Sequence, residues 1–322
     1  MKRILLFALA LSALCVVSAA GHAASWPERP IRIVVGFPPG PTDIVTRPVA
    51  DRLSRALGQP VIVESHPGAN GSIAAEQVMK APADGYTLLV GTSGTHGTAV
   101  HLFRNLRYDP VTDFAPIVAT VEPATCLVVA ADLPVRSVPE LIAYARANPG
   151  RLSYATPGVG SVFHLLGELL KQTAGIDMVH VPYKGADPAL TDLIAGRVPV
   201  ALTALSSALP HVEAGRARLL AVLEPARFAR VPEVPSITEF VPAFRKPATW
   251  FGLFAPRGTP EPVISVLNAE VVRILNEPDI RRLMEDNSYT VIGGPPGHLK
   301  ALMIDGIARF GDIIHAAGIE PQ

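Results

Sequence analysis

Short apolar runs and longer amphipathic segments follow one another along most of this chain. Ile31–Val35 is a β-branched apolar run, which predicts a buried strand. Apolar side chains then recur at a spacing of four residues, at Val45, Val49, Leu53 and Leu57. This spacing places them on one face of a helix that is expected to end at Gly58, with Pro48 near its first turn.

The same cycle of strand and helix continues to residue 222. Further strands are predicted at 61–64, 87–90, 115–121, 127–130, 152–155, 179–181, 198–202 and 218–222. Further helices are predicted at 73–80, 139–147, 163–173 and 188–195, followed by three helical stretches at 263–275, 278–287 and 297–316. Strands that alternate with helices of this length predict an α/β protein with parallel sheets and helices on both faces.

The first 24 residues have a different pattern. A basic start is followed by an uncharged run over residues 4–20 and then by small residues. This order predicts a cleavable secretory signal peptide over residues 1–24, with cleavage after Ala23 or Ala24. A membrane anchor is the alternative, but about 20 apolar residues are normally needed to span a bilayer. The remaining chain is therefore expected to be exported.

Composition narrows the class of protein. A length of 322 residues suggests about two domains. The 28 basic and 28 acidic residues cancel, which argues against a nucleic-acid binder, since such proteins normally show a basic face. Removing residues 1–24 would leave two more acidic than basic side chains. Cys126 would then be the only cysteine, so no internal disulfide is expected, and its apolar neighbours predict a buried structural thiol.

Four predicted strands end in glycine-containing turns that lead into helices. These turns cover residues 37–43, 91–96, 156–161 and 183–187. In open α/β sheets, ligands bind at the carboxyl ends of strands, and free N–H groups at a helix N-terminus favour a bound anion. Thr42, Ser93 and Ser161 could add hydroxyl donors. Each turn alone could be a plain turn with a helix cap, but the four together favour a shared cleft.

Patterns typical of catalytic and metal sites fit poorly. Residues 158–163 lack the third small residue of a dinucleotide fingerprint, and Ser93 lacks the second glycine of a nucleophile elbow. His164 lies one turn before Glu168, yet no second histidine gives the spacing of a zinc site. No cofactor or metal is therefore expected. His164 and His96 could each lie at the mouth of a turn or in the core.

Several motifs in a fixed order carry a further signal. They lie at residues 43–47, 67–71, 84–88, 108–110, 113–114, 154–158, 180–185, 234–236, 250 and 255–260. Examples are Asp-Gly-Tyr-Thr-Leu at 84–88 and His-Val-Pro-Tyr-Lys-Gly at 180–185. The ordered set resembles the exported receptors of tripartite tricarboxylate transporters, often called Bug receptors. The resemblance extends from Trp26 to the C-terminal helix.

This resemblance implies a periplasmic binding-protein fold, in which two α/β lobes have a ligand cleft between them. Residues 25–122 and 246–322 would form the first lobe, and residues 123–245 the second, with the C-terminal helices returning to the first lobe. The protein would be a periplasmic receptor that captures a small carboxylate, either a di- or tricarboxylate or an aromatic one. It would deliver this ligand to the integral-membrane permease subunits of a tripartite transporter, and it is expected to be monomeric and not to bind nucleic acid.

The resemblance also implies how the ligand is held, which is by backbone N–H groups, hydroxyls and ordered waters. The first lobe would contribute Phe37, Gly40, Thr42, Asp43 and Ser93. The second lobe would contribute Thr156, Gly158, Gly160, Ser161, His164, Tyr183, Lys184, Gly185 and Thr203.

Two positions depart from the family pattern and bear on the ligand. Pro41 stands in a loop that usually holds a run of glycines, so one backbone donor is missing. The strand over 198–203 usually carries aspartates, yet this chain has Pro199 and Thr203 there. If Thr203 lines the cleft, it cannot form an ion pair with an amino group. A carboxylate without an amino group is therefore expected, rather than aspartate or glutamate.

Two other functions stay open. An exported hydrolase would use Ser93 or Ser161 with a histidine, although spacing alone yields no base together with a group that orients it. A sensor would present its ligand-loaded surface to a signalling partner, which is compatible with a receptor.

Overall fold

The computed structural model describes residues 26–321, and within them the chain forms two β-sheets with helices packed against them. In chain order the strands are β1 (Ile31–Val35), β2 (Val61–Ser65), β3 (Thr87–Thr92), β4 (Phe114–Pro123), β5 (Thr125–Ala130), β6 (Ser153–Thr156), β7 (Val179–Pro182), β8 (Val200–Ala204), β9 (Ala217–Val222), β10 (Phe251–Pro256) and β11 (Tyr289–Gly293). The first sheet has the order β11-β4-β10-β3-β1-β2, and the second has the order β7-β6-β8-β5-β9.

The helices lie between and beside these strands. They are α1 (Pro41–Leu57), α2 (Ser72–Met79), α3 (Ala99–Leu102), α4 (Val138–Ala147), α5 (Val162–Ala174), α6 (Ala186–Ile194), α7 (Leu205–Glu213), α8 (Glu261–Leu275), α9 (Pro278–Asp286) and α10 (Pro296–Ala316). All helices and strands predicted from the apolar pattern are present within a few residues, whereas α3, α7, β10 and β11 were not predicted.

Each sheet forms one α/β lobe, which we call the first and the second lobe. The predicted fold class is confirmed, but the predicted lobe boundaries at residues 122 and 245 stay a prediction. The signal peptide predicted over residues 1–24 lies outside the described residues.

The expectation of parallel sheets is wrong in part, because both sheets are mixed. In the first sheet β1 pairs in parallel with β2 and β3, but β10 is antiparallel to β3 and β4. In the second sheet β6 is parallel to β7 and β8, whereas β5 is antiparallel to β8 and β9. A buried strand has the same apolar run in either direction, so its direction depends on how the chain returns to the sheet.

Helix α1 begins earlier than the apolar spacing suggested. Pro41 is its first residue, a position that proline favours because its fixed φ suits the first turn. Pro48 therefore lies about two turns inside the helix rather than near its start, where it removes one backbone hydrogen bond. Gly58 ends the helix with a φ of 68°, as predicted.

A buried ion cluster joins the two segments that cross between the lobes. Lys246 Nζ lies 2.7 Å from Glu122 Oε1 and 2.8 Å from Glu224 Oε2, and only 3% of the lysine side chain is exposed. Glu122 lies near the end of β4 on one crossing, and Lys246 lies before β10 on the other. Burial pulls the pKa of Lys246 down most strongly, but the two carboxylates outweigh it and hold the pKa above its ordinary value. The lysine is therefore charged and ties both crossings together.

The C-terminal helix α10 packs against both lobes. Near its start, Leu299 is buried together with Trp250 of the first lobe. Near its end, Phe310 is buried together with Leu166 of α5 in the second lobe. The helix therefore returns to the first lobe as the resemblance implied, and it also forms part of the core of the second.

Cys126 lies on β5, between β8 and β9 in the second sheet. Its side chain is buried and forms no disulfide within the described part of the chain. Burial, together with the nearby charge of Glu224, raises the pKa of the thiol above its ordinary value. Cys126 is thus the buried, unreactive thiol that the sequence predicted.

Candidate functional site

The first-lobe residues of the predicted site lie at the carboxyl ends of β1 and β3. These strands are parallel to each other and to β2, so the loops that follow them meet at one edge of the sheet. Gly36 and Gly71 are in direct backbone contact, since a Cβ atom built on Gly36 would lie 2.6 Å from the Gly71 Cα. A Cβ atom on Gly71 would lie 3.2 Å from the Phe37 ring and 2.6 Å from Thr95. The fold therefore brings Phe37 close to the turn that contains Ser93.

Helix α1 begins at this edge with an unpaired hydroxyl. Thr42 is 4% exposed, and its Oγ1 has no hydrogen-bond partner among residues 26–321. The next residue, Asp43, accepts a hydrogen bond from Arg47 Nε at 2.5 Å and a longer one from the Gly40 amide at 3.4 Å. The arginine therefore balances the charge of Asp43, and the Thr42 hydroxyl stands at the positive end of the helix dipole.

The turn after β3 places one predicted residue at the edge and one histidine in the core. Ser93 is 4% exposed, and its amide donates to the Trp250 carbonyl at 3.0 Å. His96 is fully buried, with its ring stacked on Phe254 at 4.2 Å and its Nδ1 2.8 Å from Thr95 Oγ1. The structure therefore places His96 in the core and not at the mouth of a turn.

Residues 68–71, which follow β2, reach the same edge, although the sequence had not assigned them to the site. Ala69 and Asn70 both have positive φ angles, 45° and 52°, which non-glycine residues rarely adopt. The amide of Asn70 lies beside Gly94, since a Cβ atom on Gly94 would be 3.5 Å from Asn70 Nδ2. Strain of this kind costs roughly 1–3 kcal/mol per residue and clusters at binding sites. The Asn-Gly pair after a strand was the available sequence signal.

The second-lobe residues lie at the carboxyl ends of β6, β7 and β8. The Tyr183 amide donates to the Thr156 carbonyl at 2.9 Å, and the Gly185 amide donates to the Pro157 carbonyl at 3.1 Å. These bonds hold the loop over 156–161 against the loop over 183–185. The fold therefore brings these two predicted segments together, and each leads into the N-terminus of a helix, α5 or α6.

Ser161 is the N-cap of α5. Its hydroxyl donates to the Gly158 carbonyl at 2.8 Å and accepts from the His164 amide at 3.3 Å. A cap of this kind satisfies one of the free amides of the first turn, while Val162 and Phe163 have no acceptor within the helix. Ser161 thus shapes the loop and leaves other helical amides available to a ligand.

Two stacked histidines lie behind this loop. The rings of His164 and His180 are 3.8 Å apart and nearly parallel, at 12°. His164 Nδ1 accepts the Gly160 amide at 3.1 Å, and His180 Nε2 is 2.7 Å from the Thr156 hydroxyl. Burial lowers the pKa of both rings, that of His180 to about 3, so both are neutral at pH 7. His180 belongs to a motif of the sequence, but no role had been assigned to it.

The remaining predicted residues differ in exposure. Tyr183 is half-buried and donates from its hydroxyl to Asp192 Oδ2 at 2.8 Å. Lys184 is exposed and has no ion pair within the part of the chain that the structure describes. Thr203, at the carboxyl end of β8, is 1% exposed, and its Oγ1 has no partner among the described residues. Thr203 is therefore the counterpart, in the second lobe, of the unpaired Thr42.

The lobes meet at Gly160, next to the second-lobe loop. Gly160 has a φ of 70°, and a Cβ atom there would lie 2.6 Å from Leu102 of α3. Among residues 26–321, no hydrogen bond or ion pair joins the predicted first-lobe residues to the predicted second-lobe residues.

A surface groove of about 420 Å³ lies elsewhere on the first lobe, and none of the predicted site residues lines it. Its lining includes Phe103, Leu106, Val111 and Ile307.

Adding a methyl group at Gly36 is expected to force the two first-lobe loops apart. In Gly36→Ala the new Cβ would meet backbone atoms of Gly71, which cannot rotate away, so we expect a loss of about 1–3 kcal/mol of unfolding free energy. Urea denaturation would measure it. Gly297→Ala is the matched control, because a Cβ atom there meets nothing within 4 Å. Equal unfolding free energies for the two variants would contradict the contact.

Comparison of the sequence with models of known protein families identifies the family of this protein. Residues 45–319 match the model of the tripartite tricarboxylate transporter family receptor. This chain belongs to that family. The resemblance seen in the sequence motifs is therefore confirmed, and the receptor shares its family with proteins that bind a substrate for transport.

Solved structures similar to this receptor support the same conclusion. Rpa4515 of R. palustris, solved with adipate, is 38% identical and covers 92% of this chain and 100% of its own, with a TM-score of 0.84. MatC of Rhodopseudomonas palustris, solved with bound malate, is 36% identical and covers 90% and 100%, with a TM-score of 0.78. The periplasmic binding protein BugD is 31% identical and covers 92% and 100%, with a TM-score of 0.79.

The hydrolase interpretation would use Ser93 or Ser161 with a histidine. The Ser161 hydroxyl bonds to backbone groups, and the ring of His164 is turned to the Gly160 amide. Within residues 26–321, no side-chain hydrogen bond joins a serine to a histidine. Among the described residues, Ser161 thus serves as a helix cap. No helix of the described residues is long and apolar enough to cross a membrane.

Proposed function

We propose that this receptor binds a small carboxylate between its two lobes in the periplasm and delivers it to the permease subunits of a tripartite transporter. It would act as a monomer, and it would need neither a metal nor a cofactor. The similarity to two proteins solved with adipate and malate supports a carboxylate as the ligand.

One observation carries this proposal, which is the convergence of helix N-termini and unpaired hydroxyls at the sheet edges. Helix α1 begins at the edge of the first sheet, and α5 and α6 begin at the edge of the second. Thr42 and Thr203 add one buried, unpaired hydroxyl in each lobe. Helix N-termini attract anions through their free amides and their dipole. A carboxylate held by both edges would satisfy the groups of both lobes at once.

The strength of such binding is sufficient without an ion pair. A hydrogen bond to a charged group contributes about 1.5–3 kcal/mol. Four or five of these bonds would reach the roughly 8 kcal/mol of a micromolar complex, after the cost of immobilising the ligand is subtracted. The exposed Lys184 would add a further attraction at the rim of the second lobe.

The same residues favour a carboxylate that has no amino group. Thr203 offers a neutral hydroxyl, and the carboxylate of Asp43 is already bonded to Arg47. An ammonium group would therefore lose its water shell without gaining a charged partner among these residues. We expect adipate or malate to bind and aspartate or glutamate to bind more weakly.

A ligand comparison tests this function. At a free concentration about 100 times its dissociation constant, adipate or malate should stabilise the folded protein by about 2.7 kcal/mol. Thermal unfolding would detect the shift, and calorimetry with adipate, malate, aspartate and glutamate would rank the affinities. Tight binding of aspartate or glutamate alone would contradict the ligand class.

Removing one hydroxyl tests the role of Thr203. Thr203→Val keeps the shape and deletes an unpaired buried hydroxyl, so the ligand-free protein should be at least as stable as the wild type. Its affinity for the bound carboxylate should fall about tenfold, which corresponds to roughly 1.4 kcal/mol. Thr290→Val, at an exposed position of β11, is the control and should bind as the wild type does.

A further inference from the structure

The two stacked histidines are joined to the second-lobe loop by one ring nitrogen each. His164 belongs to α5 and His180 to β7, so the pair joins a helix to the edge strand of the second sheet. His164 bonds to the Gly160 amide and His180 to the Thr156 hydroxyl. The pair therefore holds the loop over 156–161 at both of its ends.

The hydrogen bond from Gly160 fixes the tautomer of His164. The Gly160 amide is a donor, so His164 Nδ1 must be the unprotonated acceptor, and the ring proton lies on Nε2. His180 Nε2 lies 2.7 Å from the Thr156 hydroxyl, which also lies 3.2 Å from the Gly158 carbonyl, so either partner of the His180–Thr156 bond can be the donor. His164 must therefore be neutral to accept from the loop, and His180 is bonded to the first residue of the same loop.

The charged groups around the pair leave both rings neutral. Glu168 Oε1 is 4.0 Å from His164 Nε2, but this carboxylate already accepts from the Tyr154 hydroxyl at 2.6 Å and from Lys171 at 3.0 Å. Burial is the main cause that lowers the pKa of each histidine, and Lys171 acts in the same direction. Burial lowers the pKa of His164 more than Glu168 raises it, so the ring stays neutral and can accept from Gly160.

We propose that His164 and His180 are positioning residues that hold the amides of the second-lobe loop in the geometry that binds the carboxylate. This inference rests on the proposed function, and it gives His164 a role behind the loop rather than in contact with the ligand. Gly160 has a left-handed φ of 70°, and among the described residues its amide donates to His164 alone. The imidazole pair adds to the alignment that the Ser161 cap and the bonds to residues 183–185 give the loop.

Variants at His164 separate the hydrogen bond from the bulk of the ring. His164→Asn places an amide oxygen close to the position of Nδ1 and keeps the acceptor, whereas His164→Leu removes it. In the ligand-free protein, His164→Leu should speed hydrogen exchange of the Gly160 amide at least tenfold, as measured by NMR. Calorimetry with adipate should show an affinity at least tenfold weaker, and His164→Asn should recover most of both. The exposed His298→Asn is the control and should match the wild type.

A second pair of variants covers the case in which His164→Leu does not fold. His180 is only partly buried on an edge strand, so its variants are expected to fold. His180→Gln keeps a donor near the position of Nε2 and should retain adipate binding, whereas His180→Leu should weaken it at least tenfold.

The outcomes distinguish this inference from the proposed function. Unchanged exchange of the Gly160 amide in His164→Leu, or faster exchange with unchanged adipate affinity, would overturn the positioning role. Equal affinities of His180→Gln and His180→Leu would overturn it for His180. If the wild-type protein bound none of the carboxylates, the proposed function would fail first, and with it the claim that the loop is held for a carboxylate.

Discussion

Acidification from pH 7 to pH 4 is expected to remove about 3 kcal/mol of unfolding free energy through His96 alone. Burial lowers the pKa of His96 from its ordinary value of 6.5 to about 3. The unfolded chain therefore binds a proton as the pH falls below 6.5, while the folded chain stays neutral until about pH 3. The stabilisation that comes from neutral His96 is fully present above the unfolded pKa of 6.5, and it decreases as the pH falls from there to about 3. Urea denaturation at pH 7, 5.5 and 4 would measure the decrease.

The variant His96→Leu isolates this contribution from those of other groups. It removes the titrating ring and costs about 1 kcal/mol at pH 7 through the lost hydrogen bond to Thr95. It should therefore be less stable than the wild type at pH 7 and more stable at pH 4. Parallel curves of unfolding free energy against pH for the two proteins would contradict the prediction, because His96 would then titrate equally in both states.

Replacing Lys246 with methionine is expected to cost about 3–5 kcal/mol of unfolding free energy. Lys246→Met removes the cation between Glu122 and Glu224, whose side chains are 27% and 11% exposed, and leaves both carboxylates without it. Because these residues join the two crossings between the lobes, the loss should also weaken the coupling of the lobes. Thermal and urea unfolding of the ligand-free protein would measure the effect.

Lys80→Met is the matched control for this prediction. Lys80 is also paired with a glutamate, Glu76, but 63% of its side chain is exposed. Exposed pairs of this kind contribute about 0–1 kcal/mol, since water screens the charges. A double variant, Lys246→Met with Glu224→Gln, should be more stable than Lys246→Met alone. If Lys246→Met lowered the unfolding free energy as little as Lys80→Met does, the ion cluster of Lys246, Glu122 and Glu224 would not stabilise the two crossings between the lobes.

The sequence predicted most elements because their signals are local. The spacing of four residues along α1 and the apolar run of β1 depend only on neighbouring residues. The glycine-containing turns after β3 and β6 were recognised as parts of a site for the same reason. Strand β10 is interrupted by Gly252, and β11 is a run of five residues between α8–α9 and α10, so neither carries a distinctive period.

Other features depend on contacts between distant parts of the chain. Asn70 reaches the first-lobe edge only because β2 lies beside β1 in the sheet. His180 follows His164 by 16 residues in the sequence, and only the packing of β7 against α5 stacks their rings. The sequence could not show whether His96 lies at the mouth of a turn or in the core. Its burial depends on aromatic rings from other elements, such as that of Phe254 on β10.

The sequence by itself determined the family, the two-lobed α/β class and the loops that lead into helices, because periodicity, turn residues and ordered motifs are properties of short segments. The tertiary structure decided the direction of the antiparallel strands, the neutral histidine pair behind the second-lobe loop and the partners of Lys246. The lysine is 124 residues from Glu122 along the chain. The two side chains can form an ion pair only after both crossings are folded, because desolvation and charge attraction act on groups that are close in space.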